Sequence, residues 1–349
     1  MKKTLTVFFL LFSLLIAARF QAVEKPSTPT VEPTITRIAF GSCSRQDQEQ
    51  PLWPVIVQNQ PQLWIWLGDN IYGDTQDMAM LKQQYALEKQ HPGYRQLLST
   101  CPVIGIWDDH DYGVNDGGKD FAKKAESQQR MLEFLDEPID SPRWKREGAY
   151  ASYLFGKQDK QGKVILLDGR YFRDELKKKN NKNVPNETGD ILGEAQWAWL
   201  ERELTNSQAS IHFIGCGIQI LPEEHAYEKW ANFPQARRRL LDLIQKTKVK
   251  GVILLSGDRH MAEISRIQLD NYPYPLYEVT SSGLTHTWTL GSNEPNRYRV
   301  GQMVTELNFG LLEIHWDKQP LTIDIQVRGL NNKLLMNHLV TFGQPLTGK

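Results

Sequence analysis

Net charge is what this sequence most plainly lacks: 41 Lys and Arg offset 41 Asp and Glu over 349 residues. A balanced chain offers no basic face for nucleic acid and no acidic tail for a charged partner. Cysteine is scarce, with Cys43, Cys101 and Cys216 the whole supply. An odd number excludes complete disulfide pairing. Cys43 is expected to stay unpaired, which leaves Cys101–Cys216 as the one possible bridge. Internal repeats and a second linker are also missing, so the bulk of the chain reads as one domain. Beyond residue 22 no apolar run is long enough to span a membrane.

What is present begins at the N-terminus. Lys2 and Lys3 precede TLTVFFLLFSLLIAA, an apolar stretch followed by small residues. This is the layout of a secretory signal peptide over residues 1–22, with cleavage near Ala18 or Ala22. An uncleaved anchor is the alternative, and the lack of a following Cys argues against a lipoprotein. The protein is therefore expected to be exported, to a periplasm or to the medium. Residues 23–35 are rich in Pro and Thr and read as a tether without a fold of its own. Residues 36–349 form the remaining domain; the chain as a whole is 40% apolar, and its ten Trp, all in this domain, can build a large core.

Strand-like runs recur along it: TITRIAF, QLWIWL, PVIGIW, KVILLD, IHFIGCGIQI, GVILLS, PLYEVT, FGLLEIHW and TIDIQV. Several are almost continuously apolar, as strands covered on both faces are. The last ones follow each other with only turns between, which favours antiparallel pairing. Helical spacing marks residues 193–207 and 233–247, the latter with Pro234 suited to a first turn. The pattern is α/β, with mixed sheets and helices outside.

The runs end alike. TRIAF leads into GSCS, LWIWL into GDNIYGD, VIGIW into DDHD, VILLD into GRYFRD, and VILLS into GDRH. Taken singly, each end has an ordinary reading. Asp69 after Gly68 suits a turn or a helix cap, Tyr72 a rim aromatic and Cys43 a small buried apolar group; Arg170 and Arg173 suit surface ion pairs. Five recurrences at strand ends argue for one convergent site, since ligands in α/β folds bind at the carboxyl ends of strands. Adjacent acids such as Asp108, Asp109 and Asp111 repel unless cations lie among them, so the composition points to metal. Oxygen donors suit hard cations, whereas a thiolate and a phenolate fit a ferric ion; a mixed centre is expected.

GSCS, LGDNIYGD, WDDHDYGVND, LDGRYFRD, LGEAQWAWLERELTNS, SGDRHMAEI and VTSSG occur in the order found in the alkaline phosphatase D (PhoD-like) metallophosphatases. The resemblance covers roughly residues 36 to 316 and implies a four-layer α-β-β-α sandwich with Fe(3+) and Ca(2+), other divalent metals being possible. It implies metal ligands at Cys43, Asp69 (bridging), Tyr72, Asp109 and Asp258, with Asp108 and His260 as further candidates. Arg170 resembles the family's phosphate clamp, with Arg173 and Asn115 as additional substrate contacts. His110 or His260 would donate a proton to the leaving oxygen. One departure is WDDHD where other members have WDDHE, which makes Asp111 one methylene shorter.

The expected function is an exported metal-dependent phosphoric ester hydrolase, acting on a phosphomonoester or phosphodiester by attack of hydroxide at phosphorus. Two competing readings remain: a cysteine hydrolase using Cys43 with His110 or His260, and a non-catalytic calcium-stabilised binding protein. Trp230, Phe233, Trp288 and Tyr298 either rim a substrate pocket or pack inside the protein.

Overall fold

Apolar runs flanked by Gly and Asp set the strands, and two sheets result. The computed structural model describes residues 30–31, 34–180, 182–288 and 294–343. The larger sheet has the order β1 (Thr30–Val31), β5 (Ala151–Phe155), β6 (Gly162–Leu166), β9 (Ile211–Cys216), β10 (Val252–Ser256), β12 (Leu276–Ser281) and β11 (Ala262–Ile267). The smaller has β15 (Leu334–Phe342), β14 (Leu321–Arg328), β13 (Phe309–His315), β2 (Arg37–Gly41), β3 (Leu63–Leu67) and β4 (Val103–Ile106). A lysine-rich hairpin pairs β7 (Lys177–Lys179) with β8 (Lys182–Val184). Strands β2, β3 and β4 are parallel, as are β6, β9, β10 and β12. The closing strands β13, β14 and β15 are antiparallel, as their short connections require.

The two sheets share one core. Along β10, Ile253 and Leu255 face the smaller sheet, while Val252 and Leu254 pack under α6 (Gly193–Thr205) and α7 (Pro234–Thr247). Successive side chains of a strand point to opposite faces, so a run apolar at every position must be covered twice. The smaller sheet is covered outside by α1 (Trp53–Gln58), α2 (Met78–Gln90), α3 (Pro92–Leu98) and α5 (Lys124–Phe134). The result is the four-layer sandwich. A short α4 (Asp109–Tyr112) follows β4 directly and carries the acidic cluster.

Several expectations change. All three cysteines are free and buried. Cys101 lies in the core between the sheets and outer helices, Cys216 in the separate core beneath α6 and α7, so no bridge joins them. The strand expected to continue to Ile220 stops at Cys216, and Ile220 and Leu221 donate their N–H groups to the Glu278 carboxylate instead, at 2.8 and 2.6 Å. Within the tether, Thr30 and Val31 pair beside Leu154 and Phe155, and Ile35 is buried. The expected signal peptide and its cleavage points at Ala18 and Ala22 lie outside the described residues. Among the described residues no helix is long and apolar enough to cross a membrane.

Candidate metal centre

Parallel strands present their carboxyl ends at one edge, and both sheets bring that edge to the same place. Glycine permits the approach. A Cβ on Gly68, at φ +88°, or on Gly217 would lie 2.3 Å from atoms of Asp108. Cys43, Asp69, Asp258 and His260 take positive φ of 62°, 47°, 65° and 52°. Left-handed backbone is uncommon outside glycine, and its clustering at strand ends marks a functional site.

Donor atoms converge there in overlapping sets. Asp69, Asp108, Asp109 and Asp258 each offer an oxygen, all within 4.8 Å of one another; Cys43, Asp69 and His260 form a second such set, and Asp69, Asp109 and His110 a third. Asp109, Asp116 and Glu228 form a fourth, and Asp69 and Asp109 each belong to three of the four. Cys43 Sγ lies 3.2 Å from Asp69 Oδ2 and 3.0 Å from Ser282 Oγ. The Tyr72 hydroxyl is 3.3 Å from Asp69 Oδ2, 2.9 Å from His260 Nε2 and 3.1 Å from His286 Nε2. His110 Nδ1 meets the Asp74 carboxylate at 2.8 Å, and its ring lies 4.3 Å from that of Tyr72.

Asp111, despite its shorter side chain, organises the cluster. Its carboxylate accepts the N–H groups of Asp108 at 2.7 Å, Asp69 at 3.2 Å and Asn70 at 3.3 Å. Asp109 accepts from the N–H groups of His110 and Asp116.

The electrostatics are those of a site built for cations. Burial and then the Cys43 and Asp109 charges push Asp69 well above the carboxylate range. Burial likewise raises Asp108, with Arg170 opposing, and raises part-buried Asp258 to about 7. Burial works against Asp109 too, but Arg170, His110 and the Asp116 N–H hold it below the usual value. Cys43 is pushed up to about 11, and burial drives His260 down to about 3. Asp69 Oδ1 and Asp108 Oδ2 are buried with no hydrogen-bond partner. Buried carboxylate oxygens left unpaired are unfavourable, and a bound cation satisfies them. The donor set fits metal, and oxygen predominates, as hard cations prefer.

The two arginines are placed differently from the expected phosphate clamp. Arg170 is fully buried, with Nε 2.7 Å from Asp108 Oδ1 and Nη1 2.6 Å from Glu228 Oε2. Arg173 pairs with Glu228 at 2.9 Å and donates to the Gly117 carbonyl at 2.8 Å. Both guanidinium groups thus face carboxylates inside the protein. Asn115 is exposed on the loop after α4. His286, Ser282, Asp74 and Glu228 are site neighbours that sequence reasoning did not single out. His286 had a usable signal, since it follows β12 just as the other residues follow their strands; Glu228 sits in a loop without any.

A family model described as PhoD-like phosphatase matches residues 38–309. Alkaline phosphatase D of Bacillus subtilis (strain 168) is 24% identical over 237 residues, which span 61% of this chain and 39% of that relative's length. Among solved structures, that of PhoD has a TM-score of 0.71 at 17% identity, covering 90% of this chain and 70% of the other. GAP50, the anchor in the inner membrane complex of Plasmodium, gives 0.58 at 13% identity over 90% and 91%. A dimetal phosphatase from Danio rerio gives 0.51 at 12% identity over 89% and 100%. With strand-end donors converging as described and the family model spanning most of the sequence, the chain belongs to the PhoD-like phosphatase family.

Proposed function

We propose that this protein is an exported metal-dependent hydrolase of phosphomonoesters or phosphodiesters, using Fe(3+) and Ca(2+). One observation carries the reading: four carboxylates, Asp69, Asp108, Asp109 and Asp258, crowd within 4.8 Å, two of them with unpartnered buried oxygens. Bound metals would neutralise the ester's charge and make hydroxide available at moderate pH. Asp69, which belongs to several of the donor sets, would be held in common by the metals, and Asp108, Asp109 and Asp258 would supply the remaining hard donors. Cys43 and Tyr72 supply the donors suited to ferric iron.

The chain's own residues do the rest. Asp74 fixes His110 through Nδ1, which leaves Nε2 to hand a proton to the leaving oxygen. His260 is kept neutral and held against the Tyr72 hydroxyl, so it serves as a ligand rather than an acid. Arg170 holds Asp108 in place between itself and Glu228, and its charge is felt at the phosphate through that carboxylate. Arg173 shapes the 116–117 loop, and exposed Asn115 is the substrate contact at its rim.

A cysteine hydrolase is less well supported. The Cys43 thiol is buried and raised to about 11, and Ser42, Ser282 and Asp69 are its hydrogen-bond partners, with no imidazole among them. The binding-protein reading has one observation in its favour, because the GAP50 anchor shares the fold. Elemental analysis beside a panel of mono- and diesters tests the proposal. Activity should vanish on exhaustive chelation and iron stripping, and Asp69→Asn should lower kcat by orders of magnitude. An active preparation free of iron and divalent metal would overturn it. Export is tested by the mature N-terminus, expected just after Ala18 or Ala22.

A further inference from the structure

Nine large apolar side chains stand exposed among the described residues, and two of them meet each other. Tyr227 and Trp288 are each 48% exposed, with ring centroids 6.4 Å apart and planes inclined by 36°. Both are held in place. Trp288 lies nearly parallel on the His260 imidazole, at 5.5 Å and 10°, and its backbone N–H donates to the His260 carbonyl at 2.9 Å. His260 is itself a candidate donor and touches the Tyr72 hydroxyl, so the Trp288 ring rests against the edge of the metal site. The Arg259 guanidinium sits 4.2 Å from the Tyr227 centroid and is anchored on Glu294 at 2.7 Å. Lys229 Nζ donates to the Tyr227 carbonyl at 3.1 Å and to that of His225 at 2.6 Å. By contrast Trp230 and Phe233, close in sequence, are fully buried in the core.

Two rings fixed by a buried guanidinium and by the His260 imidazole, yet left half in water, contribute little to folding, and such paired exposure at a site's edge marks a binding surface. The surrounding charges disfavour an alkyl chain, which needs an apolar groove. A flat, polarisable group with polar edges suits both the π faces and their charged border.

We propose that Tyr227 and Trp288 form an aromatic platform that binds a flat aromatic substituent of the phosphate ester, making aryl or nucleoside esters the preferred substrate class. This rests on the hydrolase reading. Stacking of a base on one aromatic side chain is worth about five- to 150-fold in binding.

The test compares benzyl phosphate with cyclohexylmethyl phosphate, as monoesters or as methyl diesters, in the metal-loaded protein. The two leaving alcohols are alike in chemistry and size, so only aromaticity differs. Wild type should favour the benzyl ester by about tenfold in kcat/KM. Tyr227→Leu and Trp288→Leu should each abolish the preference, so that the ratio of benzyl to cyclohexylmethyl kcat/KM falls from about tenfold to near one. Adenosine 5′-monophosphate against ribose 5-phosphate then separates sources: a larger preference there assigns a nucleobase, a smaller one an aryl group. Equal turnover of benzyl and cyclohexylmethyl esters by wild type overturns the platform. So does a variant that lowers both alike, since Trp288 would then only brace His260. If neither ester is hydrolysed, the hydrolase reading fails. The platform is still decided by the dissociation constants of benzylphosphonate and cyclohexylmethylphosphonate, which must differ in wild type and converge in both variants.

Discussion

Replacing Asp258 with Asn should stabilise the metal-free protein, and most of that advantage should disappear once metal is bound. In the absence of cations the Asp258 carboxyl is raised from 3.8 to about 7, first by burial and also by the charge of Asp109, with Arg259 opposing. The folded state therefore holds a proton that the unfolded state releases above about pH 4. Stability falls with pH wherever the native state binds more protons, so wild type loses ground as pH rises through the window from 3.8 to about 7. At about 1.36 kcal/mol per pH unit the loss approaches roughly 4 kcal/mol by pH 8. That figure is a ceiling, because Asp69 and Asp108 are raised by the same crowding and share the relief. Asn is nearly isosteric and cannot ionise. Metal-free Asp258→Asn should thus exceed wild type by about 2–4 kcal/mol at pH 8 and match it near pH 4. Metal at a hundredfold excess over its dissociation constant returns about 2.7 kcal/mol to a protein that keeps its donors, and less to the variant. Urea midpoints at pH 4 and pH 8, for chelated and loaded samples, give the four comparisons. A variant less stable than wild type when metal-free at pH 8 would refute the account, since Asp258 would then be ionised and content beside Arg259.

Glu88 offers a second titration away from the donors. Burial raises it to about 8, while Gln50 donates to it at 2.6 Å and Ser44 at 3.4 Å. Its proton, kept in the fold and lost in the unfolded chain between pH 4.5 and about 8, makes stability decline over that range by up to roughly 5 kcal/mol. Glu88→Gln should flatten the decline, and parallel denaturation profiles for the two proteins between pH 5 and pH 9 would contradict it. Asp111→Asn should lower metal affinity about ten- to hundredfold, because an amide supplies only one oxygen where three backbone N–H groups converge. Competition titration with a metal indicator reads this directly, and unchanged affinity would show that Asp111 does not position its neighbours.

The runs legible as strands are those whose burial is two-sided, such as VILLS in β10, where every position is buried. AEISRI in β11 escaped because Glu263 and Arg266 break the apolar run. Glu263 is nonetheless buried, neutralised by Arg299 at 2.6 Å and held by Gln219 and Asn296. Edge strand β15 escaped because only Val340 and Phe342 of its residues are buried, and Asn337 and His338 interrupt its apolar residues. The donors were legible for a topological reason, since strand ends in a parallel sheet must meet. The roles of Arg170 and Arg173 were not, because a sequence shows that a cation is present but not which carboxylate lies opposite. Glu228 supplies the missing half of that pairing from a loop 58 residues beyond Arg170 along the chain, where no period or motif marks it.

Strain and charge crowding at this edge have one explanation between them. Left-handed residues cost of order 1–3 kcal/mol each, and Cys43, Asp69, Asp258 and His260 all adopt that backbone. The same four residues carry candidate metal donors. Glycine and asparagine take that backbone at lower cost, yet aspartate stands at Asp69 and Asp258, where the carboxylates lie among other candidate donors. What holds the strained turns is the rigidity on either side: Trp53, Trp64 and Trp66, packed edge to face at 5.2 to 5.4 Å behind β3, and the doubly covered β10. Stability generated in those cores is consumed at the strand ends, and only cation binding recovers it. At Asp69 and Asp258 positive φ and a raised carboxyl group therefore coincide, because a single requirement, several anionic donors aimed at one point, produces both.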